Sequence, residues 1–296
     1  MSSTSETLLA NKNLTLGIVG VGLIGASIGL AHRQANTFTK ILGVGRSKAN
    51  LDQALKMGAI DQAVSLEECA KQADVIVVCV PVAQTFSVLH AIEPHIKSKA
   101  LITDAGSTKS DVIMAAKTAL GDKVAQFVPA HPIAGGAQHG AESAKANLYQ
   151  GKEVVLCPLQ ENHPEVVQAI DDFWQATGAV TSRMSSLQHD AIFASISHLP
   201  HILSYALMLQ VANSEDAAIK LDLAGAGFRD FTRIAASSPE MWRDICLANK
   251  VAILKELDNY LALTKNLREM IAKEDSDSLL KAFTRASAER QKWEGR

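Results

Sequence analysis

Three glycines in the run Gly20-Val21-Gly22-Leu23-Ile24-Gly25 stand between an apolar stretch, Leu14 to Val19, and a helix-competent segment. In a strand-turn-helix context each glycine has a physical task. Gly20 permits the tight turn, Gly22 lets a pyrophosphate approach the backbone, and Gly25 lets the helix pack closely on the sheet. The helix N-terminus, from Leu23 and Ile24 onward, offers free N–H groups and a positive dipole end to phosphates. A dinucleotide is therefore expected here. Its type turns on the residue closing the second strand, where a carboxylate bonds the ribose hydroxyl of NAD and repels the extra phosphate of NADP. That strand ends Gly43-Val44-Gly45-Arg46-Ser47. Gly45 replaces the acid, and Arg46 and Ser47 supply a cation and a hydroxyl suited to a 2′-phosphate, so NADP is favoured over NAD. Two further strand ends, at Val80-Pro81 and at Asp104-Ala105-Gly106, should border the same crevice.

Three segments go beyond nucleotide binding: Asp104 to Lys109 (DAGSTK), Ala130 to Gly136 (AHPIAGG) and Gly225 to Arg233 (GAGFRDFTR). Taken in order with the glycine loop and Ser197 to His201 (SHLPH), they make the chain resemble the prephenate and arogenate dehydrogenase family over about Leu14 to Asp258. The resemblance implies oxidative decarboxylation of a cyclohexadienol acid with hydride transfer to NAD(P), a step in tyrosine biosynthesis driven by aromatisation. His131 matches the family's base, and an imidazole with an ordinary pKa of about 6.5 is largely neutral at cellular pH. Ser107 matches the serine that hydrogen-bonds the substrate hydroxyl and that histidine; its alternative task is to cap the helix starting near Lys109.

Arg233 matches the family's carboxylate-binding arginine, whose planar fork donates two parallel hydrogen bonds. Arg229 shares that task or forms an ion pair with Asp230 or Asp190. His201 is the candidate for a polar contact beside the substrate ring, with His198 one turn away. On regular helical spacing Asp190 and His201 fall on one face, and Pro200 denies the helix an N–H and should bend it, exposing a carbonyl near the site. Many relatives carry a serine or threonine and then an acid after HPIAG; here stand Gly136, Ala137 and Gln138, which bears on substrate preference.

The elements that must position these residues are read from patterning. Strand candidates at Leu14 to Val19, Lys40 to Val44, Val75 to Val80, Ala100 to Thr103, Val124 to Val128 and Glu153 to Leu156 alternate with amphipathic segments. Several are apolar throughout, as strands covered by helices on both faces are. After Arg183 helical periodicity takes over, at Leu187 to Ala212, Glu215 to Leu223, Pro239 to Lys265 and Ser276 to Lys292. In the third of these Met241, Ile245, Ala248, Ala252 and Leu254 form a stripe to be buried. The expected fold is α/β: a Rossmann-type, parallel-rich dinucleotide domain over 14–183, then an all-helical substrate and dimerisation domain over 184–296, after a polar leader of residues 1–13 expected to be disordered.

Composition narrows the function classes. The 29 basic and 31 acidic side chains nearly cancel and are scattered, which argues against a nucleic-acid partner. Apolar runs such as Val75 to Val80 fall short of the roughly 20 residues a membrane helix needs. Four dispersed cysteines suggest neither disulfides nor a metal site, and a cytoplasmic homodimer acting on a small molecule fits. The competing readings are an NADP-dependent β-hydroxyacid or imine reductase and a non-catalytic NADP-sensing protein. The first leans on a lysine that Leu187 to Ala212 lacks, and the second has no use for Ser107, His131 and Arg233 together.

Overall fold

In the computed structural model, which describes residues 13–135 and 140–294, six strands form one wholly parallel sheet. The expected leader up to residue 12, and Gly136, Ala137 and Gln138, lie outside the described residues. The strands are β1 (Thr15–Val19), β2 (Lys40–Val44), β3 (Gln62–Ala63), β4 (Val75–Val78), β5 (Leu101–Asp104) and β6 (Phe127–Val128), in the order β3-β2-β1-β4-β5-β6. Crossover helices α1 (Leu23–Ala35), α2 (Lys48–Lys56), α3 (Leu66–Gln72), α4 (Thr85–Ile92) and α5 (Ser110–Leu120) join them. All residues of β4 and β5 are buried, which accounts for the unbroken apolar character of β4, Val75–Val78, whereas β5 ends in the buried polar pair Thr103 and Asp104. The strand order reverses between β1 and β4, so the carboxyl ends of these strands open the crevice where such sheets bind ligands.

Two sequence expectations change here. Of Val124 to Val128 only Phe127–Val128 pairs as a strand, because Gly121–Gln126 coils into 3-10 turns. Glu153–Leu156 leaves the parallel sheet and becomes β8 of a second sheet, antiparallel to β7 (Ala130–Pro132) and parallel to β9 (Val180–Arg183). Pro129, with no N–H to give a ladder, separates β6 from β7, and its carbonyl accepts from Cys157 N instead. Helix α6 (Pro164–Ala176) leads from β8 to β9 and buries Phe173 and Trp174.

The remainder is helical: α7 (Ser186–Phe193), α8 (Leu199–Ala212), α9 (Ala217–Asp222), α10 (Ala226–Thr232), α11 (Pro239–Ala248), α12 (Lys250–Ala272) and α13 (Ser276–Glu294). Helices α7 and α8 are joined without a break by a π turn, Ala194–His198. The joined run contains an 18-residue stretch of mean hydropathy 1.4, and is long and apolar enough by composition to cross a membrane, although it also carries Asp190, His189 and His198 buried within the protein. The expected single helix from Pro239 is interrupted at Asn249. Of the expected stripe Ile245 is buried, together with Trp242 and Asn249, whereas Met241 and Leu254 are exposed.

The chain separates into two compact units at Asn249/Lys250. Helices α7–α11 thus belong with the sheets. The link is physical: the Asp190 carboxylate on α7 accepts the backbone N–H groups of Lys109 and Ser110, 81 and 80 residues away, at the otherwise uncapped start of α5.

Candidate active site

At the β1–α1 turn, Gly20 has φ +101 and a Cβ there would lie 2.4 Å from Cys79 O, while one at Gly25 would lie 2.3 Å from Gly20 O. The fold itself demands both glycines. Gly22 is different, since a Cβ built on it meets nothing within 4 Å. The space it leaves is therefore open to a ligand. Helix α1 has no side-chain cap and no acid in its first turn, so its leading N–H groups remain available to an anion. A cavity of ≈ 720 Å³ runs from Gly20 and Gly22 past Val80 and Pro81 to Gly45, Arg46 and Ser47. Ser47 also caps α2 by accepting from Asn50 N at 3.3 Å, and the first turn of α2 holds no acid. These residues fit a dinucleotide, with an electropositive end where the second strand stops.

His131 sits in β7, in register with Val155 of β8. Its strand is held by a buried ion pair that sequence reasoning did not foresee. Lys109, fully buried, donates from Nζ to Asp104 Oδ2 at 2.5 Å and to Ala130 O at 2.7 Å. Asp104 Oδ1 accepts from Ala130 N at 2.9 Å. Both polar groups of Ala130, the residue before His131, are thereby clamped. Asp104 was expected to meet the cofactor, but its side chain is buried and occupied by Gly106 N, Lys109 and Ala130, so it builds the turn instead. A lysine inside DAGSTK was the available signal for this clamp.

The His131 ring packs on Phe193, and its Nδ1 lies 2.8 Å from Nε2 of His189. His189 is fully buried, and its Nδ1 lies 2.8 Å from Asp190 Oδ1. Burial, followed by the neighbouring His189, Lys109 and His198, pushes the His131 pKa well below the ordinary histidine value. Burial raises and hydrogen bonds from His189, Ser110 and Lys109 lower the Asp190 pKa, with a net shift below the usual carboxylate value.

One cavity of ≈ 410 Å³ is lined by Gly22 to Gly25, Ser107, His131, Gly135 and Met241. Ser107 is bonded neither to His131 nor to any other described residue, and α5 starts three residues later with no side-chain cap. The helix-capping alternative is thereby removed, and the hydroxyl is free in the cavity wall. His201 stacks on Trp242 with ring centroids 3.6 Å apart, and its Nδ1 lies 3.0 Å from Ser197 O, the carbonyl that the π turn before Pro200 presents. Burial lowers the His201 pKa; the Ser197 carbonyl opposes that shift and the nearby Arg233 adds to it. Arg233 and Arg229 are exposed, and neither is paired with a carboxylate among the described residues. The expected Arg229 pair with Asp190 is absent, because Asp190 is already bound to α5 and His189. His198, expected near substrate, is buried, with Nδ1 3.1 Å from Asn249 Nδ2 and its ring against Trp242. It supports the wall and does not line the cavity.

Comparison with known proteins gives the same picture. Residues 28–183 match the model of the prephenate dehydrogenase nucleotide-binding domain, and residues 185–285 that of the prephenate dehydrogenase dimerization domain. The chain is 36% identical over 275 residues to a prephenate dehydrogenase of Bacillus subtilis, covering 92% of this chain and 74% of that one. It is 33% identical to a cyclohexadienyl dehydrogenase of Zymomonas mobilis, covering 90% and 92%. Among solved structures it is similar to the A. aeolicus prephenate dehydrogenase in complex with hydroxyphenyl propionate and NAD+, with TM-score 0.88 and 30% identity over 94% of this chain and 98% of that one.

Proposed function

Because the chain belongs to the prephenate dehydrogenase family, and is thus an oxidoreductase for the oxidative decarboxylation of prephenate, we propose that His131 is its general base, Ser107 the orienting hydroxyl, Arg233 the carboxylate anchor and NADP its preferred dinucleotide. One observation carries the assignment: the phosphate-binding glycine loop, a free serine hydroxyl and a half-buried imidazole line a single cavity. In prephenate one ring carbon bears a hydroxyl and the opposite carbon a carboxylate. The dinucleotide, held by Gly20 to Gly25, Val80, Pro81 and the peptide of Gly106, supplies the hydride acceptor. His131 receives the hydroxyl proton as that carbon is oxidised, and enters the step neutral because burial disfavours its charged form. The opposite C–C bond then breaks, carbon dioxide leaves, its electron pair completes the aromatic ring, and the phenolate oxygen recovers the proton from His131. Ser107 donates to the hydroxyl oxygen, while Arg233, with Arg229 and His201 nearby in sequence or space, meets the carboxylates.

The NADP preference rests on Gly45 at the position of the missing acid and on Arg46, Ser47 and the N-terminus of α2 beside it. Arogenate shares the ring chemistry and is the second candidate substrate. We place the enzyme in the cytoplasm as a homodimer, and divide nucleotide from substrate domain near residue 183. The joined helix Ser186–Ala212 holds no lysine, which speaks against a β-hydroxyacid or imine reductase.

The test is a steady-state matrix of prephenate and arogenate against NADP and NAD. Turnover is expected with prephenate, with kcat/KM higher for NADP, and Arg46→Ala should lower the NADP-to-NAD ratio by about tenfold, the loss of one charge-assisted contact. Inactivity in all four combinations would overturn the activity, and a native preference for NAD would overturn the cofactor assignment.

A further inference from the structure

The hydrogen bonds around His131 have a direction, and that direction selects one of its two neutral forms. Asp190, an ionised carboxylate that also accepts from Lys109 N and Ser110 N, is an acceptor only. The 2.8 Å contact to His189 Nδ1 therefore requires His189 to donate from Nδ1. A neutral His189 then has its lone pair at Nε2. That nitrogen, 2.8 Å from His131 Nδ1, accepts, so His131 carries its proton on Nδ1 and its lone pair on Nε2. Nε2 has no hydrogen-bond partner among the described residues, and the His131 side chain lines the cavity. We infer that His189, supported by Asp190, is a positioning residue that holds His131 in the tautomer with a bare Nε2 turned to the reacting hydroxyl.

The inference deepens the proposed base assignment and rests on it. It assigns His189 a task distinct from that of Asp190 at the start of α5, because only His189 connects to the base. The same relay steadies His131 after it takes a proton, since its Nδ1–H still points to a lone pair backed by a carboxylate. The charged and titratable groups facing His131 are His189 and Asp190 from α7, Lys109 and Asp104 from the ends of the DAGSTK turn, and His198 from the π turn. Lys109 and Asp104 are paired with each other, which leaves His189 as the group in hydrogen-bond contact with the base.

Two variants separate positioning from packing. His189→Phe keeps an aromatic ring beside Phe193 but has no acceptor, and His189→Gln places an amide oxygen near the lost Nε2. With prephenate and saturating dinucleotide, His189→Phe is expected to lower kcat by at least about tenfold, a share of what a general base contributes. KM for both ligands should change less than kcat, and the acid limb of kcat/KM should move. His189→Gln should recover much of the loss. Long-range proton–nitrogen NMR of histidine-labelled protein reads the tautomer directly, without substrate: the native enzyme should show His131 protonated at Nδ1, and His189→Phe a mixture or the other form. A native Nε2–H tautomer overturns the inference, as does a His189→Phe enzyme with native kcat, or a loss of kcat that Gln does not repair in a folded protein. Because the NMR measurement needs no turnover, failure of the substrate assignment and failure of the tautomer assignment give different results.

Discussion

His32 on α1 is fully buried between Phe38 and Phe173, and neither ring nitrogen has a hydrogen-bond partner among the described residues. Burial alone lowers its pKa from 6.5 to about 3, so the folded protein holds it neutral while the unfolded chain takes a proton below about 6.5. Its contribution to stability is thus fully present above that value and is lost as the pH falls toward 3. At pH 4 the loss amounts to about 3 kcal/mol relative to pH 8, from roughly 2.5 pH units at 1.36 kcal/mol each. His32→Leu, similar in volume and without a titrating group, should narrow the gap between denaturant stabilities at pH 8 and pH 4 by that order; an unchanged gap removes the assignment. His131 is half-buried and has a partner at one nitrogen, and the contrast separates a packed histidine from a poised one. The AHPIAGG motif marks His131 in the sequence, but its hydrogen bond cannot be read there, because the partner lies 58 residues away.

Among the elements, the β1–α1 turn was the most legible, since its three glycines fall at a fixed spacing within one strand-turn-helix unit. The structure divides them by cause. Gly25→Ala presses a methyl against the Gly20 carbonyl and should cost on the order of 1–3 kcal/mol in unfolding experiments, the range for overpacking. Gly22→Ala meets nothing in the protein and should melt like the parent, yet weaken dinucleotide binding by tenfold or more in calorimetric titration. If Gly22→Ala binds normally, the open space beside it is not the pyrophosphate site. The joined α7–α8 helix was less legible. Regular periodicity puts Asp190 and His201 on one face, but the π turn at Ala194–His198 adds a residue and rotates α8 by about 100° relative to α7. Asp190 accordingly serves α5 while His201 stacks on Trp242. The helix within GAGFRDFTR, α10, is hidden in the sequence because its glycines read as loop.

At the scale of the whole molecule, large apolar side chains stay exposed through the helical part, among them Leu209, Ile219, Leu223, Leu261, Ile271, Leu280 and Phe283. A dimerization domain is the matched family description for residues 185–285, and exposed apolar surface of this kind is what association covers. Sedimentation should give twice the 31.6 kDa chain mass, and the thermal midpoint should rise with protein concentration because association stabilises only the folded state. A monomer whose midpoint ignores a hundredfold dilution would contradict this. The family assignment constrains the dimer, whereas the division of the chain at Asn249/Lys250 reflects how α7–α11 are bonded into the sheet unit.

By itself the sequence determined the features that neighbours along the chain dictate: buried parallel strands, a glycine loop shaped for a dinucleotide, a cation at the end of β2, and the motif order that marks the family. Tertiary structure decided which polar groups are spent on the fold and which are free. Asp104 and His198 look as available in the sequence as Ser107 and His131. Only the folded chain shows that Asp104 is held by Lys109 and Ala130, and His198 by Asn249, while the Ser107 hydroxyl and one His131 nitrogen have no partner among the described residues. The reason is that a hydrogen bond is satisfied by proximity in space, and these partners come together from positions as far as 51 residues apart.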